Sequence, residues 1–242
     1  MCLVLFSWQP NAEYQLVVAA NRDEFYRRPS DNARFWPDQP DILAGKDLQA
    51  GGTWLGITRQ GRFATVTNFR ETPADPLPPR SRGDLTSNFL GSHVATESYL
   101  KEIDQRPAEY RGFNLLLGQA DSLHYYSNQQ RKIQLLQPGS YGLSNQLLDC
   151  DWPKVVDGRE QLASLVNSSF TIEQLFQLLL DTGRPDEPWS AKFIQTLEYG
   201  TCAATVLIVK RNGDVFFEER VFDANDTAFP ASHYEFRSGS RS

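Results

Sequence analysis

Residues 1–8, MCLVLFSW, and residues 15–25, QLVVAANRDEF, set the architecture of this chain. Residues 2–8 and 15–21 are apolar, strand-forming runs, and the stretch between them, QPNAEYQ, is built of turn formers. Two such runs around a turn predict an antiparallel hairpin. Its second arm delivers Asn21, Arg22 and Asp23 at its end, and its first arm begins on a cysteine directly behind the initiator methionine.

Working outward, RRPSDNARFWPDQPDI (27–42) is polar, broken by prolines and without helical or alternating period, which predicts an ordered loop. TWLGITRQGRFATVTNF (53–69) alternates on either side of an RQG turn and predicts a second hairpin ending on Asn68, followed by a long loop, RETPADPLPPR (70–80). Two helical patterns come next: Leu85, Phe89 and Leu90 share one face, and TESYLKEI starts on a Thr96 cap. Strands return in GFNLLLGQ, LHYYSNQ and KIQLLQ and close with GLSN at 142–145. Beyond Pro153, residues 154–183 hold two helices, the second with Ile172, Leu175, Phe176 and Leu179 on one stripe behind Thr171. TCAATVLIVKRNGDVFFEERVF (201–222) is a hairpin turning at Asn212-Gly213, and the tail 237–242, RSGSRS, is expected to be disordered. Strands, helices, strands, helices, strands without a linker or repeat predict one α+β domain over 1–242, with helices packed outside face-to-face antiparallel sheets.

The chain of 242 residues is long enough to bury a large core, and 40% hydrophobic against 22% charged residues is an ordinary globular balance. Lys and Arg number 24 against 30 Asp and Glu, and a net charge of −6 argues against a nucleic-acid partner, which would call for clustered positive charge. Cys2, Cys150 and Cys202 make neither a metal-binding pair nor an even disulfide framework. No stretch has the length of a membrane span, and the N-terminal apolar run lacks the basic flank of a signal peptide. The expectation is a cytoplasmic protein without metal or cofactor.

Removal of Met1 would leave a free α-amine on Cys2, because a small second residue permits that processing. One residue then holds nucleophile and base: an α-amine titrates at about 7.7–8 and a free thiol at about 8.5, so the amine can take the thiol proton near neutrality. The histidines do not form a base set, since His93 falls at a helix end, His124 in a strand and His233 in the tail. Asn21, Asp23, Asn68 and Asn145 all stand where an apolar strand meets a loop, where turn formation alone also favours such residues. A guanidinium from Arg22 beside Cys2 would lower its thiol pKa.

MCLV, NRDEF, GGTWLG, VTNFRE, SRG, FNLLLG, GLSNQLLDCDWPKV and EYGT before TVLIV together resemble the NRDE family, whose animal members are called transport and Golgi organisation protein 2. The likeness runs from Cys2 to about Val209. It implies the N-terminal-nucleophile (Ntn) hydrolase fold, a four-layer αββα sandwich, and a similarity in architecture to choloylglycine hydrolases and penicillin V acylases, which cleave non-peptide amides with an N-terminal cysteine. By that resemblance Cys2 is the nucleophile, Asp23 orients its amine, Asn145 supplies an oxyanion donor and Asn68 a second. Asn21 and Arg22 bind substrate or activate the thiol. Two positions depart from the amidase pattern: Ala20 and Cys202 stand where arginines are expected.

The function this implies is an Ntn-type cysteine amidohydrolase or acyltransferase acting on a small non-peptide acyl amide or thioester. The alternative is a non-catalytic binding or trafficking protein, handling haem, lipid or acyl-CoA on the same fold. Haem would need an exposed His, Cys or Met ligand or a large apolar cleft, and the chain has one Met and no paired ligand motif.

Overall fold

Strands and helices are numbered along the chain in the computed structural model, which describes residues 2–71, 78–119, 121–187, 189–224 and 232–239. Chain contacts divide into two compact units. The first holds residues up to Arg28, Gln137–Ser144 and Leu148–Arg237; the second holds Pro29–Leu136, Asn145–Leu147 and the residues from Ser238 on.

The first unit is a six-stranded sheet of β1 (Leu3–Trp8), β2 (Tyr14–Phe25), β10 (Gly139–Leu143), β11 (Tyr199–Lys210), β12 (Asp214–Val221) and β13 (Ser232–Arg237). The order is β10-β1-β2-β11-β12-β13, and every neighbour is antiparallel. Leu3 and Leu5 of β1, Val17 and Ala19 of β2 and Ala204, Val206 and Ile208 of β11 all point to one face. There they meet Val155, Leu162 and Val166 of α3 (Pro153–Val166) and Leu175, Phe176 and Leu179 of α4 (Ile172–Leu179). Each fully buried aliphatic side chain contributes roughly 1.5–3 kcal/mol of transfer free energy, so the period-2 strands and the helical stripes stabilise one another.

Local chemistry sets the helix ends. Pro153 opens α3 behind an extended Trp152, and Thr171 and Gln174 close a reciprocal capping box on α4. Two glycines let α3 lie close on the sheet: a Cβ on Gly158 would stand 2.7 Å from Leu5 Cδ1, and one on Gly142 would stand 2.8 Å from Val155 Cγ1. At the other end of the helix the Asn11 amide donates to the Val166 carbonyl at 2.9 Å. Thus α3 runs in the same direction as β1, with its first turn over the start of that strand.

The second unit is a seven-stranded antiparallel sheet in the order β3-β4-β5-β6-β7-β8-β9. Its strands are β3 (Ser30–Phe35), β4 (Ile42–Asp47), β5 (Leu55–Thr58), β6 (Phe63–Asn68), β7 (Phe113–Gln119), β8 (Ser122–Ser127) and β9 (Gln134–Leu135). Helices α1 (Gly83–Gly91) and α2 (Thr96–Asp104) supply Leu85, Phe89, Leu90, Leu100 and Ile103 to a core completed by Val66, Phe113, Leu115 and Tyr126. Each unit is therefore a helical layer on an antiparallel sheet, as an α+β chain requires.

Five local expectations need correction. Asn21, Arg22 and Asp23 lie inside β2 rather than at its end, because pairing with β11 continues to Tyr199↔Phe25 and overrides the polar composition of NRDEF. The stretch expected to be a loop contains β3, an edge strand in which Ala33 is buried while most of its neighbours are not, so it carries little hydrophobic pattern. Ala95 rather than Thr96 is the cap of α2. His233 stands in β13, paired with β12, rather than in a tail, and Arg237, expected to open the disordered tail, is the last residue of that strand and pairs with Asp214. Residues 72–77 of the proline-rich loop, Met1 and residues 240–242 of the expected tail lie outside the described residues.

Candidate functional site

The beginning of β1 sits beside the polar end of β2. Leu3 pairs with Asn21, so Cys2, one residue earlier, falls against Arg22 and Asp23. Cys2 is half-buried, and Ser144 donates from its hydroxyl to the Cys2 carbonyl at 2.8 Å, fixing the backbone that carries the thiol. Burial pushes the thiol pKa up and the Asp23 charge adds to that, while the Asp23 backbone amide and the Arg22 guanidinium pull it down. A thiol held above its ordinary value is not a standing thiolate, so attack would need a base at the moment of reaction.

Asp23 is 4% exposed, and its Oδ1 accepts from the Thr201 hydroxyl at 2.7 Å. Thr201 is itself fixed, since its Oγ1 accepts from the Ile194 amide at 2.9 Å. Burial raises the Asp23 carboxyl above its ordinary value, opposed by the Thr201 hydrogen bond and the charge of Lys154. The β2–β11 register slips here: Thr201 pairs with Asp23 and Ala203 with Arg22, leaving Cys202 as an inserted residue. Such a bulge re-aims neighbouring side chains. The Cys202 thiol lies 3.5 Å from the carbonyls of Glu24 and Gly200, and burial raises its pKa.

Asn21 faces the helices. Its amide nitrogen donates to the carbonyls of Leu179 and Lys192, both at 2.9 Å, tying the end of α4 and the segment before β11 to β2. Cys2, Asn21, Arg22 and Asp23 are therefore gathered in the first unit. Asn68 and Asn145 are gathered in the second, where the Asn145 amide donates to the Asn68 carbonyl at 2.7 Å and the Arg70 amide donates to the Asn145 carbonyl at 2.8 Å. Asn145 is 3% exposed, and its Oδ1 has no hydrogen-bond partner among the described residues.

Thr201 and Lys154 are two site neighbours that the sequence reading did not single out. Lys154 is in the first turn of α3, where a cation opposes the helix dipole, and that local misfit was the available signal. It is 1% exposed, and its Nζ has no hydrogen-bond partner among the described residues. Stacked Trp152 and Trp189 rings, centroids 4.9 Å apart, flank it, with its amide donating to the Trp189 carbonyl at 3.1 Å. Among the described residues no group of three His, Cys, Asp or Glu side chains is placed to hold a metal ion, and no helix is long and apolar enough to cross a membrane.

The fold is shared with two solved structures. A Caenorhabditis elegans N-acylethanolamine-hydrolyzing acid amidase ortholog superposes with a TM-score of 0.54 over 86% of this chain and 92% of its own, at 8% identity. The C2A mutant of a conjugated bile acid hydrolase from Clostridium perfringens superposes with a TM-score of 0.51 over 98% of both chains, at 9% identity. The architecture is that of the Ntn hydrolases. The chain belongs to the Transport and Golgi organisation 2 family, whose model matches residues 1–224. It is 34% identical to the Mus musculus Transport and Golgi organization 2 homolog, over 98% of this chain and 99% of that one. It is also 34% identical to the Homo sapiens homolog, over 98% and 97%, and 24% identical to the Drosophila melanogaster protein, over 93% and 94%.

Proposed function

We propose that the protein is an N-terminal-cysteine amidohydrolase or acyltransferase for a small non-peptide acyl amide or thioester, acting through Cys2 after removal of Met1. The observation that carries this reading is the placement of Cys2 against Arg22 and a buried Asp23 oriented by Thr201. In the bile acid hydrolase that shares the fold, the residue replaced in the C2A mutant is likewise a cysteine at the second position.

In this reading the α-amine of processed Cys2 takes the thiol proton as Sγ attacks the acyl carbon, and the carbonyl electrons move onto oxygen. Asn68 and Asn145 take the oxyanion-donor roles that the family resemblance gives them. Collapse breaks the C–N bond, the leaving amine receives the proton from the α-ammonium, and a thioester to Cys2 remains. Water, deprotonated by the same amine, then releases the carboxylic acid and restores the thiol; a second amine in place of water gives acyl transfer. Asp23 holds the α-amine in place, Arg22 favours the thiolate, and Asn21 serves as a strut between β2 and the helices.

A ligand-carrying reading has one observation behind it. A cavity of about 670 Å³ lined by Tyr14, Phe170, Ile172, Ile208 and Phe216 lies at the far end of β2 from Asp23.

Intact mass with brief, limiting iodoacetamide decides between them. The expected result is loss of Met1 and alkylation of Cys2 ahead of Cys150 and Cys202. Retained Met1, or a Cys2 no more reactive than the other two, overturns the catalytic reading.

A further inference from the structure

The first turn of α3 buries an ammonium whose position the catalytic reading leaves unused. Gly158 lies on Leu5, and Val166 is tied to Asn11 beyond the end of β1. Lys154, one turn before Gly158, is thereby set over the opening of β1, where Leu3 pairs with Asn21. Asn21 points toward the helices, as its bonds to Leu179 and Lys192 show, and Asp23, two residues along the same strand, shares that face. A lysine is almost never fully buried without a counter-charge. Lys154 is 1% exposed.

We propose that Lys154 is a positioning residue, the buried counter-cation that keeps Asp23 a carboxylate beside Cys2. The inference rests on the Cys2 reading for its purpose, since an ionised Asp23 is what can hold an α-amine by accepting its hydrogen bond. It also accounts for the departures at Ala20 and Cys202: positive charge enters this end of the sheet from a helix and from Arg22 instead of from those two strand positions. The groups facing Asp23 are Lys154 from α3, Thr201 and Cys202 from β11, Cys2 and, in the processed chain, its α-amine; Arg22 adjoins it in β2. Those facing Lys154 are Asp23, Cys2 and Cys150. Burial lowers the lysine pKa while those three groups raise it, and burial raises that of Asp23 while Lys154 lowers it, so each charge favours the other.

The test reads Asp23 directly. In protein labelled with ¹³C at aspartate carboxyls, with Asp23→Asn identifying the resonance, Lys154→Met is expected to move the Asp23 midpoint up by at least about one pH unit. Lys154→Arg is expected to return it most of the way. An unmoved midpoint in Lys154→Met, or a midpoint in Lys154→Arg no different from that in Lys154→Met, overturns the proposal. If Lys154→Met does not fold, the double variant with Asp23→Asn is expected to fold, because both buried charges are then gone; failure of both overturns it as well. None of these readouts requires turnover, so an inert Cys2 would defeat the catalytic reading while leaving the Lys154 assignment standing or falling by itself.

Discussion

Two lysines of the first unit are equally buried, each 1% exposed, yet they are placed for different ends. Lys192 donates to Asp181 at 2.6 Å, and that carboxylate is half open to water. Burial works against the Asp181 charge, but the Lys192 hydrogen bond and the Gly183 amide outweigh it and hold its pKa below the ordinary value. Lys154 has no hydrogen-bond partner among the described residues, and its acidic neighbour Asp23 is buried and raised. One lysine makes a solvated clamp for a loop. The other has no such hydrogen bond and faces Cys2, Asp23 and Cys150, with burial lowering its pKa and those three groups raising it.

The comparison can be broken first at the reacting atom. Cys2→Ala is expected to lower acyl-amide turnover by roughly 10³-fold or more while leaving the thermal midpoint nearly unchanged, since loss of a nucleophile removes the chemical path. A variant that retains turnover assigns the chemistry elsewhere. Next in size is the support beneath Lys154. Gly158→Val places branches where even a Cβ meets Leu5, and is expected to cost about 1–3 kcal/mol by urea denaturation as overpacking lifts α3. Lys192→Met is expected to cost about 2 kcal/mol through its charged hydrogen bond, with no change in the alkylation rate of Cys2. A matching loss of Cys2 reactivity would erase the distinction between the two lysines.

The smallest effect is in pH. Asp181 titrates low in the fold, so its stabilising contribution is present above the unfolded value of about 3.9 and fades as pH falls through the folded value. Asp23 titrates high, so its ionisation subtracts stability as pH rises from about 3.9 toward the folded value. Relative to wild type, Asp23→Asn is therefore expected to gain stability on going from acid to neutral pH, and Asp181→Asn to lose it. Urea midpoints measured across that range should show slopes of opposite sign, and parallel slopes would contradict the contrast.

Much of this was legible in the order of the residues. The two hairpins at the N-terminus and at Asn212-Gly213, the α4 stripe and its Thr171 cap follow from period and turn chemistry. Strands β3 and β13 did not show, because edge strands bury alternate or isolated side chains and carry little hydrophobic signal. Cys2 could be named from its place directly behind the initiator methionine, and Asp23 only through the family resemblance, because a carboxylate expected at a strand end is ordinary there. Their proximity to Thr201 could not, since it depends on a one-residue slip in a pairing across most of the chain. Lys154 was hidden for a different reason: a lysine beside a helix-opening proline looks solvated until the glycines that draw α3 onto the sheet are seen.

That long pairing also fixes an order of events during synthesis. Ala19 meets Val206 in the middle of the six-stranded sheet, while the second unit is nearly continuous from Pro29 to Leu136. At translation rates of roughly 5–20 residues per second, β2 waits on the order of 10–40 s for β11 to leave the ribosome, whereas the other edge of β1 is met earlier by β10. The seven strands of the second unit, which end at Leu135, have all emerged well before then. The nascent chain thus carries the unpaired apolar edge of β2 until nearly the whole chain has been made.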